Sequence, residues 1–339
     1  MTSVITLDIV LAPTKVERSL LKKVLKTASN IGFEIKRLKS FKELEKINEG
    51  LLLIIGEDRD ALKSMRYLKS RNLLVLGVSK TENNSFLMET TAESIEDALK
   101  ILHKGEYSIE YSSRIKAIVD DFETPCALNE LAIFPRRSAM ILEYSLYVNG
   151  EFVWRDIGDG LIVSTPIGST AYALSTGGPI IHPHARVMAI VPVNSLNLTR
   201  RPLVAPMDSV IEVRDIVSNS VCEVIVDGGY RVRATNQILI RKGEDIGFIR
   251  LMSKPLLAQR LEKKAKMSLD ISSLPPSAKL ILKVLEYEGP LTQKDIVKKT
   301  MLPTRTVRHA LAILVGNSFV KKKPLIRDSR QDLYYIETE

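Results

Sequence analysis

The sequence DGLIVSTPIGSTAYALSTGGP occupies residues 159–179 of this 339-residue chain. It consists of a short apolar run, a turn of small residues, and a helical pattern that starts near Ser169. Ser169 or Thr170 can cap this helix, whose first backbone amides have no partner within the helix itself. Such an end accepts anionic ligands or ligands with several hydrogen-bonding groups. Hydroxyl-rich turns are also common as plain helix caps, so the residues alone leave a ligand site and a structural cap equally open.

Composition places the chain among globular proteins, with 45% hydrophobic residues. No run approaches the roughly eighteen apolar residues that a membrane helix needs, and residues 1–10 lack the features of a signal peptide. We therefore expect a cytoplasmic protein with no membrane partner. Cys126 and Cys222 form neither a disulfide framework nor a metal-ligand pair at useful spacing, so we expect both in the core and predict no metal site.

The net charge of +9 is unevenly distributed along the chain. Residues 1–253 are almost balanced at +1, whereas residues 254–339 carry +8. A basic terminal segment on a balanced body favours a polyanionic partner, most simply nucleic acid. A solvated basic surface would give the same count.

The pattern of apolar residues divides the chain into three domains. Residues 1–105 alternate apolar strands with amphipathic helices, which predicts an α/β domain with parallel strands. Residues 106–258 contain short strands and turn signals such as Asp227-Gly228-Gly229, which predicts an all-β domain with one helical insert. A linker is expected at residues 259–276, and a small α+β domain at residues 277–339.

The small domain has the outline of a winged helix-turn-helix. Its pattern predicts a helix over residues 277–287, a second from a Thr292 cap through 299, and a third from a Thr304 cap through about 315. Strands at residues 319–322 and 332–336 would then enclose a loop holding Lys323, Arg327 and Arg330.

TQKDI (residues 292–296) and TVRHAL (residues 306–311) resemble the winged-helix domains of archaeal and bacterial regulators. In that arrangement the third helix enters the major groove of double-stranded DNA and the wing contacts the flanking phosphates. A winged helix used only for dimer or protein contacts is the alternative. The predicted DNA-binding residues are Thr304, Arg305, Thr306, Arg308, His309, Lys321, Lys322, Lys323, Arg327 and Arg330.

The central stretch resembles the NAD-binding signature of the NAD kinase family, whose usual form is DG, two or three apolar residues, STPTGSTAY, a short spacer and GGP. Two further motifs agree in order and spacing, namely NE at residues 129–130 and RPLV at residues 201–204. The resemblance covers roughly residues 1–251. Ile167 departs from it, since the family has Thr or Ser there, and any hydroxyl contact from that position is lost.

The resemblance implies an α/β domain and a β-rich domain with NAD or NADP bound at the cleft between them. It implies that Glu130 supports the adenosine part of the nucleotide and that Asp159 holds the nicotinamide end. The residues that it assigns to direct adenosine contacts are Asn129, Thr170, Ala171, Tyr172 and Ser175.

The match fails at the loop that receives the phosphate donor. In NAD kinases a GGDG loop follows the second strand, and the equivalent residues here are Gly56-Glu57-Asp58-Arg59. A side chain where the backbone needs close approach or a positive φ costs about 1 kcal/mol or more. Glu57 and Asp60 also add negative charge beside a phosphate site. The loop over residues 79–87, after the third strand, lacks the family's glycines as well.

Two functions are consistent with these features. The altered loops and the basic domain favour a transcription regulator that binds NAD(H) or NADP(H) as effector and has lost kinase activity. The alternative is an active NAD kinase, in which Asp58 is the base on the adenosine 2′-hydroxyl and ATP or polyphosphate with Mg²⁺ is the donor. Either function predicts a homodimer or homotetramer, because the resembling kinases are oligomers and winged-helix readers use paired half-sites.

Overall fold

The computed structural model describes residues 9–70, 72–80, 85–137, 140–251, 274–288, 290–316, 319–325 and 328–335. The chain forms two units, Met1–Arg260 and Leu261–Glu339. Residues 259–273 of the predicted linker lie outside the described residues. Every helix within the described ranges is too short or too polar to cross a lipid bilayer.

A seven-stranded sheet organises one part of the larger unit. Its strands are β1 (Ile9–Leu11), β2 (Ile35–Arg37), β3 (Gly50–Gly56), β4 (Leu73–Ser79), β5 (Thr90–Thr91), β6 (Ser108–Ser112) and β19 (Ile246–Arg250). The order across the sheet is β2-β1-β3-β4-β19-β6, and β5 also pairs with β4. All neighbours are parallel except β19 and β6. The sequence pattern assigned β6 and β19 to the all-β domain, whereas they complete this sheet.

Helices cover both faces of this sheet, as its continuous apolar strands predict. They are α1 (Arg18–Ile31), α2 (Asp58–Met65) and α3 (Ile95–Lys104). Leu51, Leu53 and Ile55 of β3 pack against α1 and α3. Leu52 and Ile54, on the opposite face, pack against α2. Because β3 ends at Gly56 and α2 begins two residues later, the start of α2 lies at the carboxyl edge of the sheet, where α/β proteins bind ligands.

Two six-stranded antiparallel sheets form the β-rich part of the larger unit. The strands of the first are β7 (Ile115–Val119), β8 (Phe122–Glu123), β10 (Leu142–Val148), β11 (Glu151–Gly158), β15 (Ile211–Val217) and β18 (Ile238–Lys242). The strands of the second are β9 (Glu130–Pro135), β12 (Gly160–Ser164), β13 (Val187–Val193), β14 (Leu203–Pro206), β16 (Cys222–Val226) and β17 (Tyr230–Ala234). Their orders are β11-β10-β15-β18-β7-β8 and β14-β13-β12-β9-β16-β17. The inner faces of both sheets share one apolar core.

The helical insert lies on the second of these sheets. It consists of a 3₁₀ turn, Gly168–Thr170, and the four-residue helix α4 (Tyr172–Ser175). Ala173 packs against Ile162 and Val191 on a face of the sheet that the shared core does not use. Cys126 and Cys222 are both buried and free, as expected.

Arg114 ties the two parts of the larger unit together. Its side chain is fully buried at the point where the chain passes from β6 to β7. Nη1 and Nη2 donate to the carbonyls of Met65 and Leu68, at 2.8 and 3.0 Å, and Nε donates to the carbonyl of Glu244 at 2.7 Å. The carbonyl end of a helix is its negative pole, so the guanidinium compensates the end of α2. Arg114 lies in the connection from β6 to β7, and Glu244 lies in the connection from β18 to β19. Both connections between the two parts are therefore bonded to the end of α2.

The described part of the smaller unit, from residue 274 onward, forms three helices and a three-stranded antiparallel sheet. Its core includes Ile281, Ile296, Val307 and Leu311. Thr292 caps the second helix by accepting a hydrogen bond from the amide of Asp295 at 3.3 Å. The elements are α5 (Pro276–Glu288), β20 (Leu291–Thr292), α6 (Gln293–Thr300), α7 (Thr304–Gly316), β21 (Lys321–Leu325) and β22 (Asp328–Tyr335), with sheet order β20-β22-β21. All three helices end within one residue of the predicted bounds.

The hairpin of this unit differs from the prediction. Lys323 lies within β21 and residue 330 within β22, so described residues at both ends of the expected loop belong to strands. Register pairing of Lys323 with Leu333 and of Lys321 with Tyr335 accounts for the longer strands, because ladder hydrogen bonds satisfy backbone groups that a loop would expose.

Candidate functional site

The signature stretch forms a strand and a turn whose buried hydroxyl groups are hydrogen-bonded to the backbone of the protein. All of β12 is buried, between β9 and β13. Thr165 donates to the carbonyl of Leu128 and accepts from the amide of Gly168, at 2.5 and 3.1 Å. Ser169 donates to the carbonyl of Pro166 at 2.7 Å and accepts from the amide of Ile181 at 3.0 Å. These hydroxyls fix the turn.

The predicted helix cap is wrong. The N-cap of α4 is Ala171 and makes no side-chain capping bond, because a 3₁₀ turn precedes the helix. Ser169 is committed to the turn, and the hydroxyl of Thr170 donates to the carbonyl of Ile167 at 3.3 Å. A helix of four residues also has too small a dipole to bind an anion at its end. The start of α4 therefore does not by itself form an anion site.

Gly168 brings the signature turn into contact with the NE motif. A Cβ built on Gly168 would lie 2.6 Å from the Cα of Asn129 and closer still to its carbonyl carbon and oxygen. The amide of Thr165 donates to the carbonyl of Asn129 at 2.9 Å, and Ser164 is paired with Glu130 across the sheet. Two motifs that are distant in the sequence therefore form one surface, and only glycine permits the approach.

Asp227 holds the backbone of the NE motif. Its buried carboxylate accepts from the amides of Leu128, Asn129 and Glu130 at 2.9, 2.8 and 3.2 Å. The sequence analysis used Asp227 only as a turn signal and missed this role. The indication available in the sequence was an aspartate that directly follows an apolar strand and precedes two glycines; its backbone φ is 45°.

The end of α2 reaches the same turn. A Cβ on Gly229 would lie 2.5 Å from Nη2 of Arg66, the residue that follows α2. Burial lowers the pKa of Arg66, and the charge of Asp227 partly offsets that effect. The helix that begins at Asp58 thus ends against the turn that supports the NE motif.

Glu130 is a buried acid with an unsatisfied oxygen. It is 6% exposed, and among the described residues its Oε2 has no hydrogen-bond partner. Burial, with a smaller contribution from the nearby charge of Asp227, raises the pKa of Glu130 to about 8. A buried oxygen without a partner is costly unless a ligand satisfies it.

Two further predicted residues, Tyr172 and Asp159, lie near Glu130. Tyr172 is 45% exposed and its ring stacks on Phe134 with centroids 6.0 Å apart. Its pKa is raised by partial burial and then by Glu130 and Asp159, so all three lie within electrostatic range. Asp159 is exposed and accepts from the side-chain amide of Asn194 at 2.7 Å. Of the remaining predicted contacts, Ala171 is half-buried and Ser175 is exposed on α4.

We expect the pKa of Glu130 to make stability depend on pH. The folded-state pKa lies above the ordinary value of 4.5, so folding is favoured by the proton and the contribution is lost as pH rises through about 8. Between pH 5 and pH 9 the free energy of unfolding should therefore fall more in the wild type than in Glu130→Gln, as measured by urea denaturation.

Glu151→Gln is the matched control, because Glu151 is an exposed carboxyl at the start of β11. It should retain the full pH dependence of the wild type. Equal pH dependence in Glu130→Gln and wild type would contradict a protonated Glu130 in the folded state.

The donor-side loop has ordinary backbone geometry. Glu57 has φ −112° and ψ 173°, and neither Asp58 nor Arg59 has a positive φ. The strain that a positive φ would impose on side chains at residues 57 and 59 therefore does not arise. Asp60 accepts from the amide of Glu57 at 3.1 Å, and a Cβ on Gly56 would lie 2.8 Å from its carboxyl carbon. Gly56, which the chain retains from the family's loop, leaves the space that the Asp60 carboxyl group occupies.

Asp58 is held by the second altered loop. Its Oδ1 accepts from the amides of Phe86 and Leu87, both at 2.9 Å, and its Oδ2 accepts from Phe86 at 2.7 Å. The hydroxyl of Ser85 donates to Oε2 of Glu57 at 3.2 Å. The two loops that depart from the family pattern are thus bonded to each other.

Ile167 serves packing. It is buried in an apolar cluster with Leu128, Ile246 and Phe248. The lost hydroxyl is therefore replaced by an apolar contact between the signature turn and the seven-stranded sheet.

The predicted basic residues of the smaller unit lie on its surface. Thr304, Arg305, Arg308 and His309 are exposed on α7, and Thr306 is half-buried. Lys321, Lys322 and Lys323 are exposed, Lys322 pairs with Asp332 at 2.9 Å, and Lys323 lies 5.1 Å from the ring centroid of Tyr335. Arg327 and the side chain of Arg330 lie outside the described residues.

Comparison with known proteins identifies similar sequences and folds. Residues 128–245 match the model of the ATP-NAD kinase C-terminal domain. The NAD kinase of Methanothermobacter thermautotrophicus is 30% identical over 240 residues, covering 70% of this chain and 84% of that protein. The NAD kinase of Bacteroides fragilis is 34% identical over 199 residues, covering 57% of this chain and 68% of that protein.

Solved structures agree with this similarity. The NAD kinase of Archaeoglobus fulgidus in complex with ATP has a TM-score of 0.64 and 25% identity, covering 75% of this chain and 97% of that one. Yeast NADH kinase complexed with NADH shares the fold, with a TM-score of 0.64 at 17% identity and coverage of 75% and 86%. These relatives are kinases, not gene regulators. The interpretation as a DNA-binding transcription regulator is therefore wrong.

Proposed function

Because this chain belongs to the NAD kinase family, we propose that it transfers a phosphoryl group from ATP or polyphosphate to the adenosine 2′-hydroxyl of NAD, making NADP. The observation that carries the proposal is the close contact between Gly168 and Asn129, which joins the signature turn to the NE motif. Around that contact lie Glu130, with its unsatisfied buried oxygen, and the exposed ring of Tyr172.

The nucleotide would bind on this joined surface. Oε2 of Glu130 would accept a hydrogen bond from a ribose hydroxyl, which removes the cost of its burial. The carboxylate of Asp159 would favour the positively charged nicotinamide ring of NAD. The adenosine contacts would come from Asn129, Thr170, Ala171, Tyr172 and Ser175.

Asp58 would act as the base. In phosphoryl transfer the protein mainly positions the reactants and stabilises charge, and an aspartate that accepts the hydroxyl proton is a recurrent part of such sites. The described residues contain no group of three or more His, Cys, Asp or Glu side chains that could hold a metal. Mg²⁺ would arrive bound to the phosphates of ATP, as it commonly does, a mode that needs no preformed protein cage.

The remaining proposals concern assembly and location. We propose a homodimer or homotetramer, to which the exposed apolar side chains of Phe152, Leu196 and Leu198 offer surface. The smaller unit is proposed to be a winged-helix domain, because its described residues combine three helices with a three-stranded antiparallel sheet. A cytoplasmic location follows from the proposed substrates.

The test is direct measurement of NADP formation. The purified chain is incubated with NAD and Mg²⁺, with ATP in one series and polyphosphate in another, and NADP is quantified by an NADP-specific dehydrogenase. We expect NADP with at least one donor. Binding of NAD without NADP formation from either donor would contradict the kinase function.

A further inference from the structure

Glu57 and Ser85 link the two loops that depart from the family pattern. Ser85 is 5% exposed, and its hydroxyl donates to Oε2 of Glu57 at 3.2 Å. A glycine at residue 57, the residue usual in this family, has no side chain to accept that bond. The substituted residue therefore makes a contact that the family's usual loop lacks.

The next two residues of the same segment hold Asp58. The amides of Phe86 and Leu87 donate to its carboxylate over 2.7–2.9 Å. Three consecutive residues, 85 to 87, thus bind two consecutive residues, 57 and 58. The carboxylate can keep its orientation only while this segment keeps its position.

The far end of the segment is fixed by packing. The side chain of Leu87 is buried with Leu52, Ile54 and Ala61 beneath α2. Gly77 of β4 lets the segment approach, since a Cβ there would lie 2.9 Å from the carbonyl oxygen of Leu87. The amide of Glu89 donates to the carbonyl of Gly77 at 3.0 Å. Toward its start, the Ser85 hydroxyl bond to Glu57 joins the segment to α2.

We propose that Glu57 and Ser85 are positioning residues for Asp58, an inference that rests on the kinase function proposed above. Their hydrogen bond, which we call the clasp, holds residues 85–87 against the start of α2, so that two backbone amides orient the Asp58 carboxylate. In this view the changes in the two loops are matched. Side chains now bond the loop at residues 56–59 to the loop at residues 79–87, whereas both loops contain glycines in the family.

Glu57→Gly separates this proposal from simple degradation of the loop. If Glu57 merely obstructs the site, restoring glycine raises the rate of NADP formation. The clasp predicts the opposite, a fall in kcat of about 3- to 10-fold, the size expected for the loss of one hydrogen bond of ordinary net strength. KM for NAD should change less than twofold, because neither residue is proposed to touch the nucleotide.

A set of matched variants completes the experiment. Ser85→Ala should lower kcat to the same extent, and the double variant should be no worse than either single change, because both remove the same bond. Glu57→Gln and Ser85→Thr keep an acceptor and a hydroxyl and should retain most of the wild-type rate. Glu96→Ala, on the exposed surface of α3, is the control for loss of a carboxylate.

Hydrogen exchange provides a readout that does not depend on turnover. The amides of Phe86 and Leu87 should exchange faster in Glu57→Gly and Ser85→Ala, while the amide of Ile55 in β3 stays unchanged. Unaltered exchange, or faster exchange with unaltered kcat, would overturn the clasp as a positioning device. Wild-type protein that makes no NADP would instead overturn the kinase function, whatever the exchange rates.

Discussion

Asp58→Asn should lower kcat for NADP formation by about 10²- to 10⁴-fold, the usual contribution of a general base. The amide cannot take the proton of the 2′-hydroxyl at neutral pH. Its oxygen can still accept from Phe86 and Leu87, as Oδ1 does in the wild type, and only the additional bond from Phe86 to Oδ2 is lost. Because the side chain has nearly the same volume, the loop and KM for NAD should change little.

The measurement is an initial-rate series at varied NAD with ATP and Mg²⁺ in excess. Asp97→Asn is the matched control, since Asp97 also lies in the first turn of a helix but is exposed on α3. It should behave as wild type. A kcat for Asp58→Asn within threefold of wild type would remove Asp58 from the mechanism and require another base.

Gly168→Ala should weaken NAD binding by about 10- to 100-fold. The added methyl group would overlap the backbone of Asn129, and overpacking of this kind costs about 1–3 kcal/mol. Neither neighbour moves easily, because Asp227 holds the Asn129 amide and Thr165 holds the turn. The strain should therefore separate Asn129 and Glu130 from the signature turn.

Isothermal titration with NAD measures this effect, with thermal denaturation to confirm that the variant folds. Gly316→Ala is a suitable control, because a Cβ there meets nothing within 4 Å. Its affinity for NAD should equal that of wild type. If Gly168→Ala bound NAD normally, the joined surface would not be the nucleotide site.

Local patterns predicted the elements of the site, and long-range contacts decided its details. The run from β12 into the turn and the helices of the smaller unit follow from periodicity and capping residues. The role of Asp227 does not, because its carboxylate bonds to amides nearly a hundred residues earlier in the chain. The neighbours of β6 and β19 in the sheet could not be predicted for the same reason, since periodicity identifies a strand but not the strand it pairs with.

The functional error has two physical causes. Loss of glycine is costly only where φ is positive or another group approaches closely, and the sequence does not report that Glu57 sits at φ −112°. Net charge describes how a surface attracts polyanions in general, without identifying a partner. A charge of +8 on residues 254–339 was therefore insufficient evidence for DNA.

The position of β19 also bears on how the chain folds as it leaves the ribosome. β5 pairs only with Val78 and Ser79 at the end of β4, and the strand that pairs with Leu74 and Val75 begins at Ile246. Every strand of the two β-rich sheets is complete by Lys242. The β-rich part is therefore able to fold first, while that edge of β4 remains unpaired and able to associate with other chains. Of the three sheets described in the larger unit, the one whose strands are synthesised first is therefore the last to be completed.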